Sequence, residues 1–262
     1  MRYAACVEYD GSNFNGWQAQ KHNVRTVQST VEVALSKVAD CPTRVVTAGR
    51  TDSGVHATHQ VIHFDSHALR STASWCRGTN RFMDADVRLR WVQEVSEEFH
   101  ARFAALSRSY RFIIYNHPLK SALYHRLSTH EARPLNPLSM AAAGAELLGE
   151  HDFSSFRAAG CQAHTALRNI QNFKLSNSGP WIWFDITANA FLQHMVRNIA
   201  GALIEIGCAK REPQWMQQVL KARDRTVSGI TASPNGLYLV GVEYPAEFAL
   251  PTNKQAVALW CD

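Results

Sequence analysis

The sequence predicts an α+β fold assembled from two βαββαβ halves. Two observations carry this. Short segments of alternating apolar residues and longer ones with helical periodicity follow in the order strand, helix, strand, strand, helix, strand up to about residue 95, and that order returns after residue 106. The chain is also rich enough to bury a core for one large or two small domains, with 46% hydrophobic and 19% charged residues in 262.

The elements can be justified in turn. Residues 3–8 alternate as a strand, and Tyr9-Asp10-Gly11-Ser12-Asn13 is a turn. Phe14 to Gln20 is polar but carries Phe14 and Trp17, aromatics that could stack bases or cap the edge of the core. Val27, Val31, Ala34, Leu35 and Val38 recur at helical spacing, so residues 27–39 form an amphipathic helix with Thr26 as its N-cap. Residues 43–48 and 60–65 read as strands, 68–79 as a weaker helix and 87–95 as a strand. In the second half, 109–115 is a strand and 138–148 a helix between Pro137 and Gly149. Strands 170–175 and 181–187 flank a hairpin-like turn at Asn177-Ser178-Gly179-Pro180. A long helix spans 190–206, a further one 213–222, and 237–243 is the closing strand. This order is that of ferredoxin-like domains and RRM-type sheets. The expected halves are 1–104 and 105–262, the second with an extra helix, their sheets side by side around a central cleft.

Composition narrows the function. The six cysteines, Cys6, Cys41, Cys76, Cys161, Cys208 and Cys261, stand singly without a CxxC pair, which favours free thiols in a reducing cytoplasm over disulfides or zinc. No apolar run reaches the roughly 20 residues of a membrane span. The N-terminus soon meets Glu8 and Asp10 and lacks the apolar region of a signal peptide. The net charge is +5, and the 27 basic residues divide into 20 Arg and 7 Lys. Such an Arg surplus suits phosphate and base contacts, and a GC-rich genome produces it equally well. His56, His59, His63 and His67 are not read as a metal face, because the last three span a β-like run, where such residues do not converge as they would on a helix.

One stretch concentrates candidate chemistry. Gly49-Arg50-Thr51-Asp52-Ser53-Gly54-Val55-His56-Ala57 follows a strand and sets an arginine and an aspartate two residues apart between glycines. A solvated turn with an Arg–Asp surface pair fits these residues as well as an active loop does. On the 190–206 helix, Phe191, Leu192, Met195, Val196, Ile199, Leu203 and Ile206 share one arc, and Arg197 lies nearly opposite, among Ala200, Gly201 and Ile204. That face is expected to be covered or to line a cleft, where an arginine calls for a carboxylate or phosphate partner. An Arg lying along the surface with its stem packed fits the spacing equally. Without metal or thiol sites, Asp52 becomes the candidate nucleophile or base, with Arg197 or Arg50 as its cation. The Gly49–Gly54 spacing lacks the Lys-Ser/Thr of a P-loop, and neither GxSxG nor GxGxxG occurs.

Four stretches then resemble the family of TruA-type tRNA pseudouridine synthases: Tyr9-Asp10-Gly11 through Gly16-Trp17-Gln18; the Gly49–Ala57 loop; Ser107-Arg108-Ser109-Tyr110-Arg111-Phe112; and Phe191-Leu192 through Met195-Val196-Arg197. His151-Asp152-Phe153-Ser154-Ser155-Phe156 and Gly236-Leu237 agree too, and the resemblance fades across 117–136 and after Tyr244. It implies isomerisation of uridine to pseudouridine at positions 38, 39 and/or 40 of the anticodon arm of tRNA. No cofactor is implied, and a homodimer is. It implies Asp52 as the catalytic aspartate, Arg197 as its partner, and Arg50 as the side chain entering the base stack. Tyr110 and Leu237 would hold the two faces of the flipped uracil. Two rival classes are a non-catalytic RNA-binding module using Trp17, Tyr110 and the arginines, and a carboxylate hydrolase of a small substrate. The first has no use for an aspartate that repels phosphate. The second has no use for the Arg surplus.

Overall fold

The computed structural model describes residues 1–20 and 24–251; Cys261 and the end of the expected second half lie outside the described residues. The chain is α+β and divides into two compact units. One is formed by residues 1–106 with 238–251, the other by 107–237.

In the first unit, β1 (Arg2–Tyr9) lies between β3 (His56–Asp65) and β4 (Val87–Val95), antiparallel to both. Helices α1 (Val27–Ala39) and α2 (Thr72–Arg81) complete the βαββαβ order. Thr26 caps α1, its hydroxyl accepting the Ser29 N–H at 3.3 Å, and Ser71 caps α2 in the same way at 3.1 Å. Trp75 of α2 packs on Tyr3 and Phe64, ring centroids 5.6 and 5.1 Å away, and all three are buried.

The expected strand 43–48 shrinks to β2 (Val46–Thr47). Its earlier backbone donors are taken by side chains of α1: the Val45 N–H donates to the Glu32 carboxylate at 3.1 Å and the Thr43 N–H to the Ser36 hydroxyl at 2.9 Å. β3, by contrast, starts four residues earlier than expected. β10 (Leu237–Glu243) returns from far along the chain, and its Tyr238 and Leu239 pair in parallel with His56 and Ala57. β1 holds one edge of β3, so β2 and β10 share the other, at its opposite ends.

In the second unit, β5 (Ser107–Asn116), β9 (Trp181–Ala188), β8 (Leu167–Ser178) and β7 (Gly149–Asp152) run in that order, each antiparallel to the next, with β6 (Thr129–Glu131) parallel to the C-terminal end of β5. β6 and β7 are short and polar, without the alternation that marks a strand. Asn136 caps α3 (Pro137–Ala145), with proline in its first turn. α4 (Met195–Gly207) starts five residues later than its apolar periodicity suggests, because His194 sits in the left-handed region at φ 62° and breaks the turn. Phe191 and Leu192 therefore precede the helix. α5 (Trp215–Ala222) follows it.

The histidines of β3 are core residues. His63 is buried, accepts the Ala101 N–H at 3.1 Å, and touches the rings of Phe99 and His100. Burial, with the charge of Arg2, pushes its imidazole down to about 4. Below the ordinary value of 6.5 the unfolded chain takes up a proton that the folded chain resists. The contribution of neutral His63 to stability is thus complete above that value and lost as pH falls towards 4, by at most about 3 kcal/mol. Burial lowers His59 as well, adding to the same trend. Urea denaturation followed from neutral to mildly acid pH should show this fall. It should be shallower in His63→Asn, whose amide oxygen can still accept the Ala101 N–H.

Candidate active site

The loop between β2 and β3 is clamped on both sides of Arg50. Gln60, fully buried in β3, donates its amide to the Gly49 carbonyl at 2.7 Å. Thr51 is pulled inward: its hydroxyl shares a 2.8 Å hydrogen bond with the Tyr9 hydroxyl, and its carbonyl accepts the Trp17 N–H at 3.0 Å. Arg50, between these anchors, is exposed. On the far side of Asp52, the Ser53 hydroxyl and the Gly54 N–H both reach the Phe14 carbonyl, at 3.1 and 3.4 Å. The Val55 N–H closes a turn on the Asp52 carbonyl at 3.2 Å, with Gly54 at φ 79°. Asp52 is thus half-buried at the apex of a loop whose flanks are fixed.

The residues that fix it belong to the polar stretch 9–18. A Cβ on Gly11 would lie 2.0 Å from the Val55 carbonyl oxygen, so only glycine lets the two backbones meet. Phe14 and Trp17 are 2% and 1% exposed, which removes them as base-stacking platforms. Trp17 packs against Tyr9, and Phe14 lies under the Arg25 guanidinium at 4.0 Å. Of the two roles open to these aromatics, capping the core edge is the one their burial fits, while the chain around them wraps the loop and its backbone supplies the clamps. Burial pushes the Tyr9 phenol up to about 12, so it stays a neutral hydroxyl. Tyr9→Phe leaves Thr51 short of a buried partner and should cost about 1 kcal/mol of stability, read from the urea midpoint, while slowing the reaction through the loop.

His56, at the loop's end, is buried and stacks on Tyr238 with centroids 4.6 Å apart. Its Nδ1 lies 3.1 Å from both the Gly11 N–H and an Asp10 carboxylate oxygen. It accepts the first when that nitrogen is bare and donates to the second when it is protonated. Contact with His56, together with the Ser12 hydroxyl and N–H, holds the Asp10 carboxyl well below the usual carboxylate range.

The other three expected site residues lie in the second unit. Tyr110, on β5, is buried with its ring edge-to-face against Phe191 at 5.1 Å. Leu237 is buried at the first position of β10, after Gly236 at φ 89°. Arg197, in the first turn of α4, is half-buried. Its Nε donates to the Ala232 carbonyl at 2.9 Å, and the Ala232 N–H donates to the Arg197 carbonyl at 3.1 Å. The expectation of a covered helix face is met by residues 230–232. A Cβ at Gly201 would come within 1.9 Å of the Ile230 oxygen. Nothing in the polar segment 223–236 signals this cover in the sequence.

A half-buried carboxylate at the apex of a clamped loop, with an exposed arginine two residues away, is placed where it could act as a base or a nucleophile. Comparison with known proteins specifies the class. A sequence profile of the family described as tRNA pseudouridine synthase matches residues 5–104 and 143–245. The chain is 52% identical over 260 residues to tRNA pseudouridine synthase A of Nitrosococcus oceani, covering 99% of this chain and 100% of that protein. It is 51% identical over 251 residues to the protein of that name from Pectobacterium atrosepticum, covering 96% and 88%. With that of Colwellia psychrerythraea it shares 49% over 254 residues, covering 97% and 98%. The chain belongs to the tRNA pseudouridine synthase family. Tyr110 falls between the two segments that the profile matches.

Proposed function

We propose that the chain isomerises uridine to pseudouridine at positions 38, 39 and/or 40 of the anticodon arm of tRNA, with Asp52 as the catalytic carboxylate. The bond from ribose C1′ to N1 breaks, the uracil turns, and C5 is joined to C1′. C5 gives up its hydrogen and N1 gains a proton, so atoms and electrons balance without a cofactor. The observation that carries the reading is the loop itself: residues 9–18 and 49–57, two of the stretches that resemble the family, interlock to hold Asp52 at its apex. Asp52 acts as nucleophile or base, and Arg197 is its partner cation. Arg50, exposed beside it, fills the stack vacated by the extruded base. Tyr110 and Leu237 hold the uracil. The enzyme acts as a homodimer in the cytoplasm, with tRNA lying across both subunits. The burial of Trp17 counts against a non-catalytic stacking module.

The test uses tRNA transcript carrying tritium at C5 of uridine. Tritium release is expected with the normal transcript and lost when uridines 38 to 40 are all replaced by cytidine. Equal release from both transcripts would refute the positions, and no release from either would refute the reaction.

A further inference from the structure

One guanidinium outside the proposed catalytic set makes four hydrogen bonds around the backbone that grips Arg197. Arg225 donates from Nη1 to the Ser228 hydroxyl at 3.0 Å and the Gly229 carbonyl at 2.8 Å. From Nη2 it donates to the Asn198 side-chain oxygen at 3.1 Å and the Thr231 hydroxyl at 2.8 Å. The Thr231 hydroxyl donates in turn to the same Asn198 oxygen at 2.6 Å. Asn198 is buried, and its amide is fixed on the Phe156 carbonyl at 2.7 Å. A second pin lies one residue earlier: the Asp224 N–H donates to the Ser155 hydroxyl at 3.0 Å, and that hydroxyl donates to the Val219 carbonyl. Ser155 and Phe156, at the end of the stretch 151–156 that carries resemblance to the family without an assigned role, thus form the floor of this network.

We infer that Arg225 is a positioning residue for Arg197. The chain of contacts is short. Arg225 and Asn198 fix Thr231, the next residue is Ala232, and the Ala232 carbonyl takes the Arg197 Nε. With Nε fixed, the plane of the Arg197 guanidinium and the direction of its two outer nitrogens are set. Residues 230–232 cannot settle closer to α4, because the Ile230 carbonyl already occupies the space a side chain at position 201 would need. Arginine suits this post because its planar fork reaches four acceptors at fixed angles; a lysine offers a point charge on a flexible stem. The inference rests on Arg197 serving the proposed reaction.

The test compares Arg225→Lys, Thr231→Val and Arg197→Lys, and each of the first two combined with the third. It reads the single-turnover rate and the tRNA dissociation constant well below the melting temperature. Arg225→Lys should slow the single turnover about ten- to hundredfold, the scale set by misplacing a reacting group, with tRNA affinity within about twofold. Thr231→Val should act in the same direction, about three- to tenfold. In the Arg197→Lys background each should add less than about twofold, because the group they position is gone. A wild-type rate in Arg225→Lys, or an equal loss in both backgrounds, overturns the inference. If Arg225→Lys does not fold, Thr231→Val decides by the same two comparisons. A wild-type rate in Arg197→Lys overturns the role of Arg197 and this inference with it. A slow Arg197→Lys beside wild-type rates in the other two overturns this inference alone.

Discussion

Asp52→Asn should remove pseudouridine formation, by about a thousandfold or more, while tRNA binding and the melting temperature stay close to wild type. Asparagine keeps the shape of the side chain and removes its charge, and with it both nucleophile and base. The fold should survive the change because asparagine leaves the clamps around the loop in place. They are the Thr51 hydroxyl and carbonyl, the Gly49 carbonyl, the Ser53 hydroxyl and the backbone of Asp52 itself. Binding should survive because an aspartate beside RNA repels phosphate rather than attracting it. Rapid-quench turnover and filter binding on one preparation separate the two effects. Pseudouridine formed at the wild-type rate would remove Asp52 from the mechanism.

Gly11→Ala is expected to have the largest effect on stability among the residues around the loop. The added Cβ would lie 2.0 Å from the Val55 oxygen, 2.5 Å from its carbon and 3.1 Å from the Gly54 carbon. All three are backbone atoms, so no side chain can swing aside. Either the turn after β1 lifts off or the loop carrying Asp52 shifts. The Val55 N–H is bonded to the Asp52 carbonyl, so a shift is passed directly to the apex. A loss of about 3 kcal/mol is expected, at the upper end for an overpacked site. A rate loss of about a hundredfold should accompany it at temperatures where the variant is folded. Urea denaturation and single-turnover assays check both, and wild-type values in either would show that the two backbones are less tightly joined than described.

Local pattern made most of the fold legible. α1 and β4 occupy the residues their periodicity names, and Thr26 caps as its residue type suggests. Two of the misses depend on partners elsewhere in the chain, and a third on a local break in the backbone. Residues 43–45 have the alternation of a strand but give their donors to side chains on α1. His56 and Ala57 look like loop yet become strand because β10 pairs with them. The apolar spacing of Phe191 and Leu192 continues that of α4, but the left-handed turn at His194 separates them.

At the candidate site, the Gly49–Ala57 loop was legible because its glycines and charges are unusual side by side. The supports were less so. A backbone carbonyl such as that of Phe14, or a hydroxyl such as that of Tyr9, leaves no mark in composition that distinguishes a clamp from a turn. Arg225 was invisible for the same reason, since its acceptors include a backbone carbonyl and three ordinary polar side chains.

The claim on which the rest depends is that this chain, through Asp52, turns uridines of the anticodon arm into pseudouridine without a cofactor. The most direct measurement incubates wild type and Asp52→Asn in parallel with unmodified tRNA transcript, adding no nucleotide or redox cofactor, and maps pseudouridine at every position. Product confined to positions 38 to 40 with wild type, and absent with the variant, is the predicted result. Product elsewhere, no product with wild type, or equal product with both proteins would contradict it.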